Sequence, residues 1–266
     1  MKTLAALTMT AALCASPAFA GMDSEHCDMN LQGDVNWQKG VLTLFTANDE
    51  HVVINGSGQM TVNNRSVSLT SEQQQWVNDY YHNIETAIPM TLEITYDALE
   101  LAGNSINEAF GELLGEDNGI VTDLNEMFAG LRTEMDSHFY DADGEVRMNS
   151  EDFEEDGWIS ERWENKFEDQ VENIIANSTG RLLIAIGKAM LSGDEDFDNF
   201  EQHMENWEED FEQRVEAKSA AIEKRADALC EVLKKADYAE LKMQKHIPGL
   251  ENLNVLTINS DSDLKM

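Results

Sequence analysis

Positive charge is scarce in this chain: 18 Lys and Arg stand against 52 Asp and Glu, a formal charge of −34 at pH 7. That balance excludes the clustered cations with which proteins neutralise nucleic-acid phosphates. It equally excludes direct docking to anionic lipid unless divalent cations bridge the two. Long apolar runs are missing beyond the first twenty residues. The best candidate, Leu182 to Leu191, is too short to cross a bilayer and carries Lys188 inside and Arg181 at its edge. Cysteine is rare, at three, and no pair forms Cys-x-x-Cys, which argues against a dithiol redox enzyme. No His-Glu-x-x-His, His-x-x-x-His or Gly-x-Ser-x-Gly pattern occurs, so neither a zinc site nor a nucleophile elbow is indicated. No catalytic residue and no cofactor is therefore nominated.

What is present begins with an address. Met1-Lys2 is a short positive start, Leu4 to Leu13 is an apolar run, and Ala18-Phe19-Ala20 offers a small-x-small cleavage pattern. These features predict a signal peptide over 1–20, cleaved after Ala20, and export from the cytoplasm. Cys14 leaves with that segment. Cys27 and Cys230 remain, and an even count in an oxidising compartment predicts a disulfide between them. Chain entropy for so large a loop sets an upper figure of roughly 5 kcal/mol. Two free thiols or an intermolecular bridge are the alternatives.

The rest reads as an α+β chain dominated by helix: a small N-terminal antiparallel β-meander followed by an elongated helical bundle or hairpin. Residues 21–70 carry the meander. Val41 to Phe45, His51 to Ile54, Gln59 to Val62 and Ser66 to Leu69 are short β-type runs separated by Asn- and Gly-rich turns. Residues 71–247 form the helical body. Thr70 and Ser71 with Gln73 and Gln74 give a capping-box start, Trp76, Tyr80, Ile84 and Ala87 line one face, and Pro89 is expected to break or kink the run. Further helices are expected from about Leu92 to Leu114, from about Ile120 to His138, and from near Trp158. A separate and longer helix comes last, in which Phe197, Phe200, Met204, Trp207, Phe211, Val215, Ile222, Ala226, Leu229 and Leu233 recur at helical steps. Residues 248–266 read as a flexible tail.

Acidity is unevenly spread along this final helix. Asp194 to Glu212 holds ten acids and no Lys or Arg, whereas Arg214 to Lys245 holds eight basic residues and six acids. Such polarity complements the helix dipole. It also suits an antiparallel dimer in which the acidic half meets the basic half of a second copy.

Candidate metal chemistry is thin. Asp141, Asp143 and Glu145, with Gly144 between, resemble the middle of a calcium loop, but Phe139 stands where the first carboxylate belongs and Ser150 where the closing Glu belongs. A polar turn accounts for the same residues. Glu161, Glu164, Glu168 and Glu172 share a helix face, yet a di-iron centre also needs two Glu-x-x-His partners, and only Asp79-x-x-His82 comes near. A solvated face is the expectation.

Cys27 just after the leader, the run NNRSVSLT leading into SEQQQWVNDYYHNIETAIP, Asp143-Gly144 in mid-chain and Cys230 in the final helix together resemble the YggN-like family, exported proteins of Gram-negative bacteria without an assigned activity. The resemblance implies a periplasmic address and carries over no functional residue. The long amphipathic helices and thirteen methionines, which offer adaptable apolar surface, lead to the expectation of a non-enzymatic interaction protein. Its partners would be envelope proteins or itself, met along the stripe Phe197, Phe200, Met204, Trp207 and Phe211. The alternative expectation is a carrier holding a lipid or other apolar ligand between its helices.

Overall fold

A computed structural model describes residues 28–46, 48, 50–114, 119–153, 157–159, 173, 176 and 194–259. The meander consists of β2 (Asp34–Gln38), β3 (Val41–Phe45), β4 (His51–Asn55), β5 (Met60–Val62) and β6 (Arg65–Ser66), preceded by β1 (Asp28–Leu31). Strands β2 to β6 pair antiparallel in chain order. Tight turns fix their register. Lys39 and Gly40 have φ of 50° and 69°, and Asn63 and Asn64 have 47° and 63°, the left-handed pairs that two-residue hairpins require. Alternation then sorts the faces: Leu42, Leu44, Val52 and Ile54 are fully buried while their neighbours point outward.

Helix α1 (Ser71–Leu114) starts at the expected box. Thr70 Oγ1 accepts the Gln73 N–H at 3.3 Å, and Gln73 Oε1 accepts the Thr70 N–H at 2.9 Å. The expected break at Pro89 does not occur, and α1 continues for 44 residues with Pro89 inside it. Ala87, Ile88, Leu92 and Ile94 are all buried on both sides of the proline, so packing holds the backbone across the missing hydrogen bond. The Thr91 hydroxyl also donates to the Ala87 carbonyl at 3.0 Å.

Helix α2 (Gly119–Phe139) turns back along α1. Phe128 lies over Gly103, where a Cβ would sit 3.1 Å from the ring. Tyr96 donates to Asp136 at 2.7 Å, and Arg132 lies over the Tyr96 ring. After α2 the chain enters β7 (Arg147–Asn149), which pairs with β2 and makes the mid-chain part of the N-terminal sheet, in the order β6-β5-β4-β3-β2-β7. A 3₁₀ turn (Ser150–Phe153) follows.

Helix α3 (Asp194–His246) is 53 residues long, about 80 Å at 1.5 Å per residue. It runs antiparallel to α1. Arg214 pairs with Glu108 and Arg225 with Asp97, about three turns further along both helices, while Gln73 donates to the His246 carbonyl at 2.7 Å. Two of the eight basic residues in the C-terminal half of α3, Arg214 and Arg225, are thus paired with acids of α1 in the same chain.

The expectation of a flexible tail over 248–266 does not hold for residues 250–259; residues 260–266 lie outside the described residues. Gly249 (φ 90°) terminates α3, and Leu250, Leu253, Val255, Leu256 and Ile258 are then buried. Strand β8 (Leu256–Asn259) pairs antiparallel with β1, from Asp28↔Asn259 to Leu31↔Leu256. The main core lies where the sheet, this β1–β8 ribbon, the first half of α1 and the last third of α3 meet. A smaller cluster of Leu92, Met135 and Phe139 fastens α2. No described helix is long and apolar enough to cross a membrane.

Candidate functional site

Three places in the fold gather chemistry or space. The first is an apolar cavity of about 100 Å³ beneath the β1–β8 ribbon. Met29 and Leu31 of β1 and Leu256 of β8 form one wall, Ala87, Ile88 and Thr91 of α1 a second, Leu229 and Leu233 of α3 a third, and Met148 and Ser150 close it from the sheet side. Its two hydroxyl side chains are engaged already: Ser150 Oγ accepts the Val35 N–H at 2.9 Å, and Thr91 donates back to Ala87. A guest would meet mostly hydrocarbon, with these two hydroxyls the polar side-chain groups in the lining.

The second is a polar cleft of about 370 Å³ at the end of α2, lined by Asn36, Gln38, His138, Arg147, Asn149 and Asp152 among others. His138 Nε2 lies 3.0 Å from Asp152 Oδ1, and the imidazole stacks on Trp158 with ring centres 4.1 Å apart. Arg147 donates to the carbonyls of Ser137 and His138, satisfying the C-terminal carbonyls of α2. These contacts build the junction of α2 with the sheet. Ser150, two residues before Asp152, lines the apolar cavity instead and accepts the Val35 N–H, so it does not complete a nucleophilic set with this histidine.

The third is Glu240, a carboxyl only 2% exposed. Its Oε1 accepts the N–H groups of Val255 at 2.7 Å and Leu256 at 3.2 Å. The Tyr80 hydroxyl interacts with the same carboxyl, although neither Tyr80 Oη nor Glu240 Oε2 makes a hydrogen bond of standard geometry. Burial pushes Glu240 up to about 7 against the lowering effect of Tyr80 and the two backbone donors. Burial, and after it the Glu240 charge, drives the Tyr80 phenol well above its ordinary value. One turn earlier Asp237, raised by burial, accepts the Ile258 N–H at 3.4 Å.

The residues nominated from sequence fare unequally. Trp207 and Phe211 stack with ring centres 4.9 Å apart and are half-buried on α3. Phe197, Phe200 and Met204 fall within α3, but their side chains lie outside the described residues. Asp141 to Glu145 form a polar turn. Asp141 Oδ1 accepts the N–H groups of Asp143 and Glu145, at 2.9 and 3.0 Å, and Gly144 takes φ 80°. Those donors, Glu145 first, hold the Asp141 carboxyl below its usual range, and Lys39 sits 3.9 Å away. Asp143 and Glu145 do not join Asp141 in a cluster placed for a metal, and no such group occurs among the described residues. His82 faces Glu85 at 3.0 Å on the exposed side of α1; Glu161, Glu164, Glu168 and Glu172 lie outside the described residues. Cys230 is disulfide-bonded and buried. Its expected partner, Cys27, lies outside the described residues, directly before β1.

Glu240 was the functional-looking residue that sequence reading passed over. Its signal is positional: Leu229, Leu233, Ala236, Glu240, Met243 and Ile247 follow one another at steps of four and three, so a charge stands in the apolar seam.

A family model described as a protein of unknown function (DUF2884) matches residues 27–256. That span runs from the cysteine before β1 into the first residue of β8. No curated protein and no solved structure matches the chain.

Proposed function

The chain belongs to DUF2884, a family of unknown function, and from that footing, which hands down no activity, we propose that it is a non-enzymatic interaction protein of the periplasm. In this reading it is akin to the YggN-like exported proteins of Gram-negative bacteria, and it holds envelope proteins or shields unfolded clients. The leader-like residues 1–20 and a disulfide-bonded Cys230 suit an oxidising compartment.

One observation carries the interaction reading. The seam of α3 is fully buried at its C-terminal end, where Leu229, Ala236, Ala239 and Met243 are at most 3% exposed. Toward the N-terminus Trp207, Phe211, Val215 and Ile222 are only half-covered, between the exposed acids Glu208, Glu209, Asp210 and Glu212. The hairpin therefore presents an aromatic-aliphatic stripe edged with negative charge. Such a surface fits an apolar segment flanked by Lys or Arg, as in an unfolded basic chain.

Reduced, denatured lysozyme, a basic client, provides the test. The intact protein is expected to delay its aggregation, and the folded double variant Trp207→Ala/Phe211→Ala to lose most of that effect. Equal protection by parent and variant would remove the stripe as the working surface.

A further inference from the structure

We propose that the cavity beneath the β1–β8 ribbon is a binding site for a single aliphatic chain carried by an uncharged amphiphile. Four features lead there. Its walls are almost wholly hydrocarbon, and its two hydroxyl side chains, Ser150 and Thr91, each already make one hydrogen bond within the fold, so a polar guest would lose more hydrogen bonds to water than these two groups can replace. Its volume of about 100 Å³ is of the order that, in apolar surroundings, stays dry and accepts small hydrocarbons. Met29 and Met148 face it, and unbranched thioether side chains can move aside to lengthen the space for a linear guest. Leu31, 42% exposed, is at once a lining residue and a surface residue, so the cavity reaches solvent at β1. A chain can enter there with its polar end left outside.

Charge selects the head group. A protein of net charge −34 repels fatty-acid carboxylates, sulfates and phosphates alike, and an uncharged head escapes that cost. The site is separate from the α3 stripe, and either can exist without the other.

Alkyl glucosides below their micellar concentrations provide the probe, read by the methyl NMR signals of Met29 and Met148 in the full chain. Octyl glucoside is expected to shift both signals saturably, and hexyl glucoside to bind more weakly by about fourfold for each missing methylene. Octyl sulfate should bind at least tenfold more weakly than octyl glucoside. Ala87→Leu, which fills the cavity from α1, should weaken octyl glucoside binding at least tenfold. The chain-length series needs no variant, so the proposal stays testable if Ala87→Leu fails to fold. Absence of saturable shifts, or affinity independent of chain length, overturns it. So does equal binding of the sulfate, or a folded Ala87→Leu that binds as the parent does. A higher melting temperature in Ala87→Leu, with no binding by the parent, identifies a packing void and overturns it too.

Discussion

Glu240 accepts the N–H of Val255 at 2.7 Å, so a carboxyl inside the core fastens the start of β8 to the last two turns of α3. This carboxyl titrates at about 7 in the folded protein, raised chiefly by burial, against an ordinary value of 4.5. A raised acid pKa means that the folded state holds the proton more tightly than the unfolded one. Stability from this group is therefore full below about 4.5 and is lost as pH climbs to about 7. The Tyr80 phenol and the Asp237 carboxyl face the same segment or the same group, and both are raised as well. Glu240→Gln keeps an acceptor for the two N–H groups and removes the charge. Its melting temperature is expected to exceed the parent's by several degrees at pH 8 and to match it near pH 4.5. At pH 8 the change corresponds to about 3 kcal/mol at most. Equal melting curves at pH 8 would contradict this.

The half-cystine at Cys230 predicts a specific covalent link. Peptide mapping of protein isolated without reductant should join Cys230 to Cys27, in a chain lighter by residues 1–20. Cys230→Ala should cost several kcal/mol, with about 5 kcal/mol as the ceiling for so large a loop. A bridge to Cys14 would mean that the leader stays attached.

Across the hairpin, Arg225 and Asp97 are partly exposed, at 53% and 34% of their side chains. Water and salt screen such a pair. A double-mutant cycle with Arg225→Ala and Asp97→Ala should give a coupling of only about 0.2–1 kcal/mol, shrinking as salt rises. The ion pairs thus set the register of α1 against α3 more than they hold the helices together.

Phe139 behaves differently. It is fully buried, packs edge-on to Trp158 and lies against Phe153. Phe139→Ala should destabilise the protein by about 3–5 kcal/mol. Because Phe139 anchors the end of α2, hydrogen exchange should accelerate first in α2 and β7 and last in β3 and β4.

Local rules made much of this fold legible. Thr70 and Gln73 cap each other as their spacing foretold, and the runs read as strands at 41–45 and 51–54 are strands. What escaped was set by distant partners. Pro89 reads locally as a break, yet packing on both sides overrides it. Leu253, Val255, Leu256 and Ile258 look like a loose end because their partner strand lies at the opposite end of the sequence. The cavity was illegible for the same reason, since its walls come from β1, α1, β7, α3 and β8. Glu240 could have been suspected from its place in the seam, but not its partners.

The β1–β8 pairing has a consequence for timing. A ribosome makes Met29 long before Ile258, its partner in the ribbon. At ~5–20 residues per second the first strand waits on the order of ten seconds or more for the last. During that interval Met29 and Leu31 have no strand beside them and the wall of the cavity is missing. The sheet from β2 to β6 can assemble early, from neighbours in sequence, but the ribbon closes only once Leu256 to Asn259 have been made. A product truncated before Leu256 is therefore left with β1 unpaired, an edge that quality-control proteases can recognise.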